Sequence, residues 1–78
     1  MDAKTQLAQA ISALLRAHRA RLNLTLRQAG DRSGVHYVTL SRYEQGHLPP
    51  LDALVKLAPV YGVELRDLIP ATTQEART

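Results

Sequence analysis

The chain is 78 residues long, carries ten Lys and Arg against seven Asp and Glu for a formal net charge of +3, and contains no cysteine. A length of this order makes one small domain that buries about 60% of the surface its unfolded form exposes, and with neither disulfides nor a thiolate metal cluster its stability rests on helix packing or a partner. No apolar run approaches the ~18 residues of a membrane span and no basic stretch leads into an apolar signal core, so the expectation is a cytoplasmic protein with no membrane partner.

Leu7, Ala10, Ile11, Leu14, Leu15, His18 and Leu22 recur at three- and four-residue spacing and predict a first helix over about residues 3–22. Asn23 supplies a stop, and Thr25 carries a side-chain oxygen able to cap a second helix over Leu26–Ser33. Gly34 ends that helix, because a residue without Cβ enters the left-handed conformation at little cost. A third helical segment runs from His36 to Gln45 and stops at Gly46. On a helical wheel Tyr37, Val38, Ser41, Arg42 and Gln45 share one arc, and Thr39, Leu40, Tyr43 and Glu44 the other. The first arc is read as exposed and hydrogen-bonding, the second as facing the core. Pro49, Pro50 and Asp52 introduce a fourth helix with Leu51, Leu54, Val55, Leu57, Ala58 and Tyr61 as its apolar face and Gly62 as its end. Pro59 is expected to bend this helix or remove its last turn. A short fifth helix is predicted over about Glu64–Ile69, with Val63, Leu65, Leu68 and Ile69 apolar and Pro70 as the stop. Residues 71–78 are small and polar and are expected to form a disordered tail. The expected fold is thus all-α, a compact bundle of five helices over residues 1–70.

Charge is uneven along this series. Between Arg16 and His47 six arginines (Arg16, Arg19, Arg21, Arg27, Arg32 and Arg42) face only Asp31 and Glu44, a net +4, while the rest of the chain sums to −1. His18, His36 and His47 also fall in the basic window. A polyanion is the natural partner of such a segment, against the plainer reading of an ordinary solvated surface.

Two short helices joined by a glycine turn, the second with a polar outward arc, describe a helix-turn-helix. The run LTLRQAGDRSGVHYVTLSRYEQG, Leu24 to Gly46, resembles the helix-turn-helix of the Cro and phage-repressor (XRE-like) family. LPPLDALVKLAPVYGVELRDLI after it resembles that family's last two helices. The resemblance covers roughly residues 7–69 and implies a lambda-repressor-like domain with the helix-turn-helix at helices two and three and the third helix in the major groove of double-stranded DNA. It places Tyr37, Val38, Ser41 and Arg42 at base edges, where Arg42 suits guanine O6 and N7 and Val38 a thymine methyl. It places Thr25, Arg27, Thr39, Gln45 and His47 along the sugar-phosphate chain. Arg19 and Glu44 match a pair that ties helix one to helix three. The sequence departs from the pattern at His36, Leu26, Ala29-Gly30 and Pro59, the last standing late in helix four where Ala is common. His36 stands where Ser or Thr usually caps the third helix, Leu26 where a polar contact is common, and Ala29-Gly30 where Leu-Ala is common, a change that costs core volume and about 1 kcal/mol of helix propensity.

An enzyme is disfavoured, because the chain has no cysteine, no glycine-rich phosphate loop and no HExxH spacing. The spacing of the three histidines matches no common metal-ligand pattern, and His18 is expected to pack on helix one. No cofactor, metal or small-molecule ligand is expected. The serious rival is a protein-interaction module or antitoxin on the same fold, since fold does not fix function. A lone recognition helix reads too few base pairs to find a site in a genome, so a homodimer reading a pseudo-palindrome is expected. Its interface is expected at Val63, Leu65, Leu68 and Ile69, four apolar residues that crowd a two-turn helix.

Overall fold

A computed structural model describes residues 2–70 of the chain. The order is α1 (Ala3–Arg21), α2 (Leu26–Ser33), α3 (Tyr37–Tyr43), α4 (Leu51–Tyr61) and a 3-10 turn, Leu65–Leu68, with no strand among the described residues. The segment expected as a tail, 71–78, lies outside them.

Each boundary has a local cause. Asp2 caps α1 by accepting from the Thr5 N–H at 2.8 Å, and hydrogen bonds from Thr5 hold its carboxyl below the ordinary aspartate value. Asn23 closes the helix in the left-handed region, φ 55°, which short amide side chains tolerate. Thr25 and Gln28 form a reciprocal capping box at the start of α2, with bonds of 3.0 and 2.9 Å. Gly34, φ 81°, ends α2, and Ser33 stiffens the turn by accepting from the Val35 N–H at 3.1 Å.

The last element departs from the expected fifth helix. Gly62 is left-handed and Pro70 drives Ile69 to an extended backbone, φ −115° and ψ 121°. The segment closes instead with tighter bonds, Asp67 N to Glu64 O at 2.9 Å and Ile69 N to Arg66 O at 3.3 Å. Pro59, by contrast, does not shorten α4, which runs on to Tyr61. Proline removes only the N–H that would bond the Val55 carbonyl, and Val55 is on the solvent side.

The core joins Ile11 and Leu15 of α1, Leu24, Ala29 of α2, Val35, Leu40 of α3, Ala53, Leu54, Leu57, Ala58 and Tyr61 of α4, and Leu68. Half-buried Leu26 packs against it, which accounts for leucine at a place where a polar residue is common. In α1 the buried stripe is Ala8, Ile11, Ser12 and Leu15, rotated from the expected face so that Leu7 and Leu22 are exposed. In α4 Leu51 and Val55 are 60% and 53% exposed. They lie one turn apart, along the edge of the stripe of Leu54, Leu57, Ala58 and Tyr61, on a helix that packs against α2 and the 3-10 turn.

The four residues of the expected interface cluster differ in burial. Leu68 is fully buried, and Val63 and Leu65 lean on the core. The tight 3-10 turn faces them inward, leaving Ile69 alone among the four exposed, at 40%.

Candidate nucleic-acid interface

The third helix owes its position to a close approach and a clamp. At Gly30 a Cβ would lie 2.8 Å from the Val35 carbonyl oxygen, 3.1 Å from the Tyr37 N and 3.2 Å from the Tyr37 Cα, all backbone atoms. Glycine therefore does more here than weaken α2: it lets the start of α3 lie directly against that helix.

The other end of α3 is held by α1. Arg19 donates from both Nε and Nη2 to the Glu44 carboxylate, each at 2.8 Å, and from Nη1 to the Leu24 carbonyl at 2.9 Å. Glu44 is only 5% exposed. Its hydrogen bonds raise the Arg19 pKa above the ordinary arginine value, against the opposing effect of partial burial. Two further α1 residues complete the clamp and escape the sequence reading. The buried Ser12 hydroxyl donates to the Tyr43 carbonyl and accepts from the Gly46 N–H at 2.9 Å, and Arg16 donates to the Glu44 carbonyl. These bonds satisfy carbonyls that the end of a helix leaves without intrahelical partners. The signal available was the i, i+4, i+7 spacing of Ser12, Arg16 and Arg19, three polar groups along one edge of an otherwise apolar stripe.

With α3 fixed at both ends, its two arcs separate by burial. Leu40 and Glu44 are buried and Thr39 and Tyr43 half-buried, whereas Val38, Arg42 and Gln45 are exposed and Ser41 half-exposed. Gln45 donates to the Ser41 hydroxyl at 2.8 Å, leaving that hydroxyl free to donate outward. Arg42 makes no ion pair among the described residues, and its guanidinium is presented whole. At the helix start the His36 imidazole supplies the missing cap, its Nδ1 accepting from the Val38 N–H at 3.2 Å. Tyr37 is half-buried, with its ring under the Arg27 guanidinium at 4.1 Å and stacked with His36 at 5.1 Å between centroids.

The remaining residues expected to meet DNA divide by environment. Thr25 is exposed but its hydroxyl is committed to the capping box, so it has its own proton to give and no free N–H-capping role. Arg27 and His47 are exposed, and Thr39 is half-buried. His18 meets Arg21 on its own helix, as expected, with 3.2 Å between His18 Nδ1 and Arg21 Nη2. It stacks on Tyr61 at the end of α4, 6.2 Å between centroids, where Arg21 also caps the helix by donating to the Tyr61 carbonyl at 2.8 Å. No described helix is long and apolar enough to cross a membrane.

The comparisons with known proteins agree with this architecture. Residues 10–71 match the family model of the helix-turn-helix domain. Among solved structures, the crystal structure of the DNA-binding domain of BldD superposes with a TM-score of 0.74 at 30% sequence identity, over 90% of this chain and all of that one. No curated protein gives a significant sequence match.

Proposed function

The chain belongs to the XRE-type helix-turn-helix family, and from that premise we propose that it is a sequence-specific regulator of transcription, a repressor or controller, that binds double-stranded DNA with α3 in the major groove. One observation carries the reading. An outward arc of exposed Val38 and Arg42 with half-exposed Ser41, free of intramolecular ion pairs, stands on a helix held at its start by close backbone packing on Gly30 and at its end by part-buried hydrogen bonds from α1. A helix about 10–12 Å across fits a groove about 12 Å wide, and a surface that must read base edges gains from being held before it meets them.

Within this reading Arg42 forks onto a guanine, Val38 meets a thymine methyl, Ser41 donates or accepts, and Tyr37 lies at the groove edge. Thr25, Arg27, Thr39, Gln45 and His47 line the sugar-phosphate chain, with charge from Arg27 and hydrogen-bond donors from the others. The protein reads a pseudo-palindrome as a homodimer, two recognition helices about one helical turn apart. The surface supporting that assembly is the exposed pair Leu51 and Val55, with Ile69 at the end of the 3-10 turn. The test is the salt dependence of affinity for duplex DNA. Several phosphate contacts give a steep linear fall of log K with log salt, whereas affinity indifferent to salt, or absent, points to the protein-interaction alternative.

A further inference from the structure

The aromatic ring of Tyr37 gathers two groups from different elements: Arg27 of α2 lies over it, and His36, just before α3, stacks with it. Together with Gly30, Asp31 and Gly34 these residues line one shallow surface depression. While His36 Nδ1 accepts from the Val38 N–H, the ring hydrogen sits on Nε2, and that donor points away from the capping bond. His36 is exposed, and its Nε2 has no partner among the described residues. Arg27 is likewise exposed and unpaired, its guanidinium held in place by the ring and not by the carboxylate of Asp31.

We propose that Arg27 and His36 clasp one phosphate of the DNA backbone between them, the guanidinium supplying charge and the imidazole an uncharged Nε2–H donor. This rests on the DNA-binding reading above and assigns His36 a second role besides its cap. The division of labour follows from the surroundings. Asp31 at the same depression opposes an anion, so a neutral donor alone does not hold one there and the Arg27 charge is needed. The imidazole cannot add a second charge at Nδ1 without giving up the acceptor that caps α3.

The test is a double-mutant cycle of Arg27→Ala and His36→Asn, with binding measured at pH 8 over a salt series. The duplexes are one recovered by selection from a random pool and one unrelated. Asparagine is among the best capping residues, so His36→Asn keeps the helix start while removing the distal donor, and thermal unfolding checks that it does. His36→Ser, a second capping variant with no distal donor, guards against an effect peculiar to asparagine. Both His36 variants are expected to bind about three- to tenfold more weakly on either duplex, the range of one uncharged hydrogen bond, with the salt slope unchanged. Arg27→Ala lowers the slope by about one, and the double variant loses less than the product of the two single losses, because the groups share a phosphate. Wild-type affinity in both His36 variants, a slope that falls with them, or losses that multiply would overturn the clasp while leaving the DNA reading intact. Failure of the wild-type chain to bind either duplex removes that reading and the clasp with it.

Discussion

Gly30→Ala is expected to destabilise the domain by about 1–3 kcal/mol, the cost of forcing atoms into a packed site, although alanine is the better helix former by about 1 kcal/mol. The three nearest atoms to the added Cβ are backbone, the closest at 2.8 Å, and no side-chain rotation relieves the contact. Chemical denaturation measures the sign directly, and a variant more stable than wild type would mean that α2 and α3 part at little cost. Tyr61 gives the opposite kind of residue. Its side chain is buried and its hydroxyl has no partner among the described residues. Burial, aided by the charge of Glu44, pushes the phenol up to about 12. A phenol raised above its unfolded value near 10 contributes stability that is full below about pH 10 and is lost as pH rises through the folded value. Tyr61→Phe is therefore expected to be as stable as wild type or more so at pH 7, and to lose less stability between pH 9 and 11.5. A sharp loss at neutral pH would show that the hydroxyl is bonded.

At the scale of the element, α1 acts as the clamp of α3 more than as a wall of the core. Glu44→Ala leaves the Arg19 guanidinium without its carboxylate and is expected to cost up to about 3 kcal/mol, the low end for breaking a buried pair because Arg19 is partly exposed. Ser12→Ala strands the Tyr43 carbonyl and the Gly46 N–H together and is expected to cost about 1–3 kcal/mol. Both should appear as lower melting temperatures, with weaker DNA binding following from a looser α3. Unchanged melting with altered binding would make these groups DNA contacts and not a clamp. The helix boundaries of α1, α2 and α4 were legible because capping residues, glycines and apolar spacing agree at each. The clamp was half legible. The Arg19 and Glu44 pair follows from family resemblance, but Ser12 reads as one small polar residue in an amphipathic helix, and only the fold brings it to residues thirty positions away. Proline and glycine misled in both directions. Pro59 suggests a shortened helix where a solvent-facing carbonyl loses nothing, and Gly30 suggests weakness where the backbone needs space.

For the whole molecule, burial divides the residues of the expected dimer surface. The crowding of Val63, Leu65, Leu68 and Ile69 suggested more apolar surface than one domain buries, yet a 3-10 turn sets three of them against the core. Periodicity does not reveal that choice, because apolar spacing over so short a segment does not separate an α-turn from a 3-10 turn. Among the exposed large apolar side chains of the described residues, Leu51 and Val55 on α4 are the most exposed. Sedimentation across micromolar concentrations, with and without DNA, is expected to show twice the chain mass at least on DNA, and Val55→Glu is expected to shift the protein toward monomer without lowering its melting temperature. A monomer under every condition would leave the chain reading a single half-site.

The central claim is that the exposed face of α3 reads base edges, and selection of bound duplexes from a random pool tests it most directly when wild type and Arg42→Ala are compared. Wild type is expected to enrich a pseudo-palindromic sequence. Arg42→Ala is expected to lose about 1–3 kcal/mol on that sequence, relaxing preference at one position in each half-site while binding unrelated duplexes as before. No enrichment by the wild-type chain, or a loss by Arg42→Ala equal on every duplex, would contradict it.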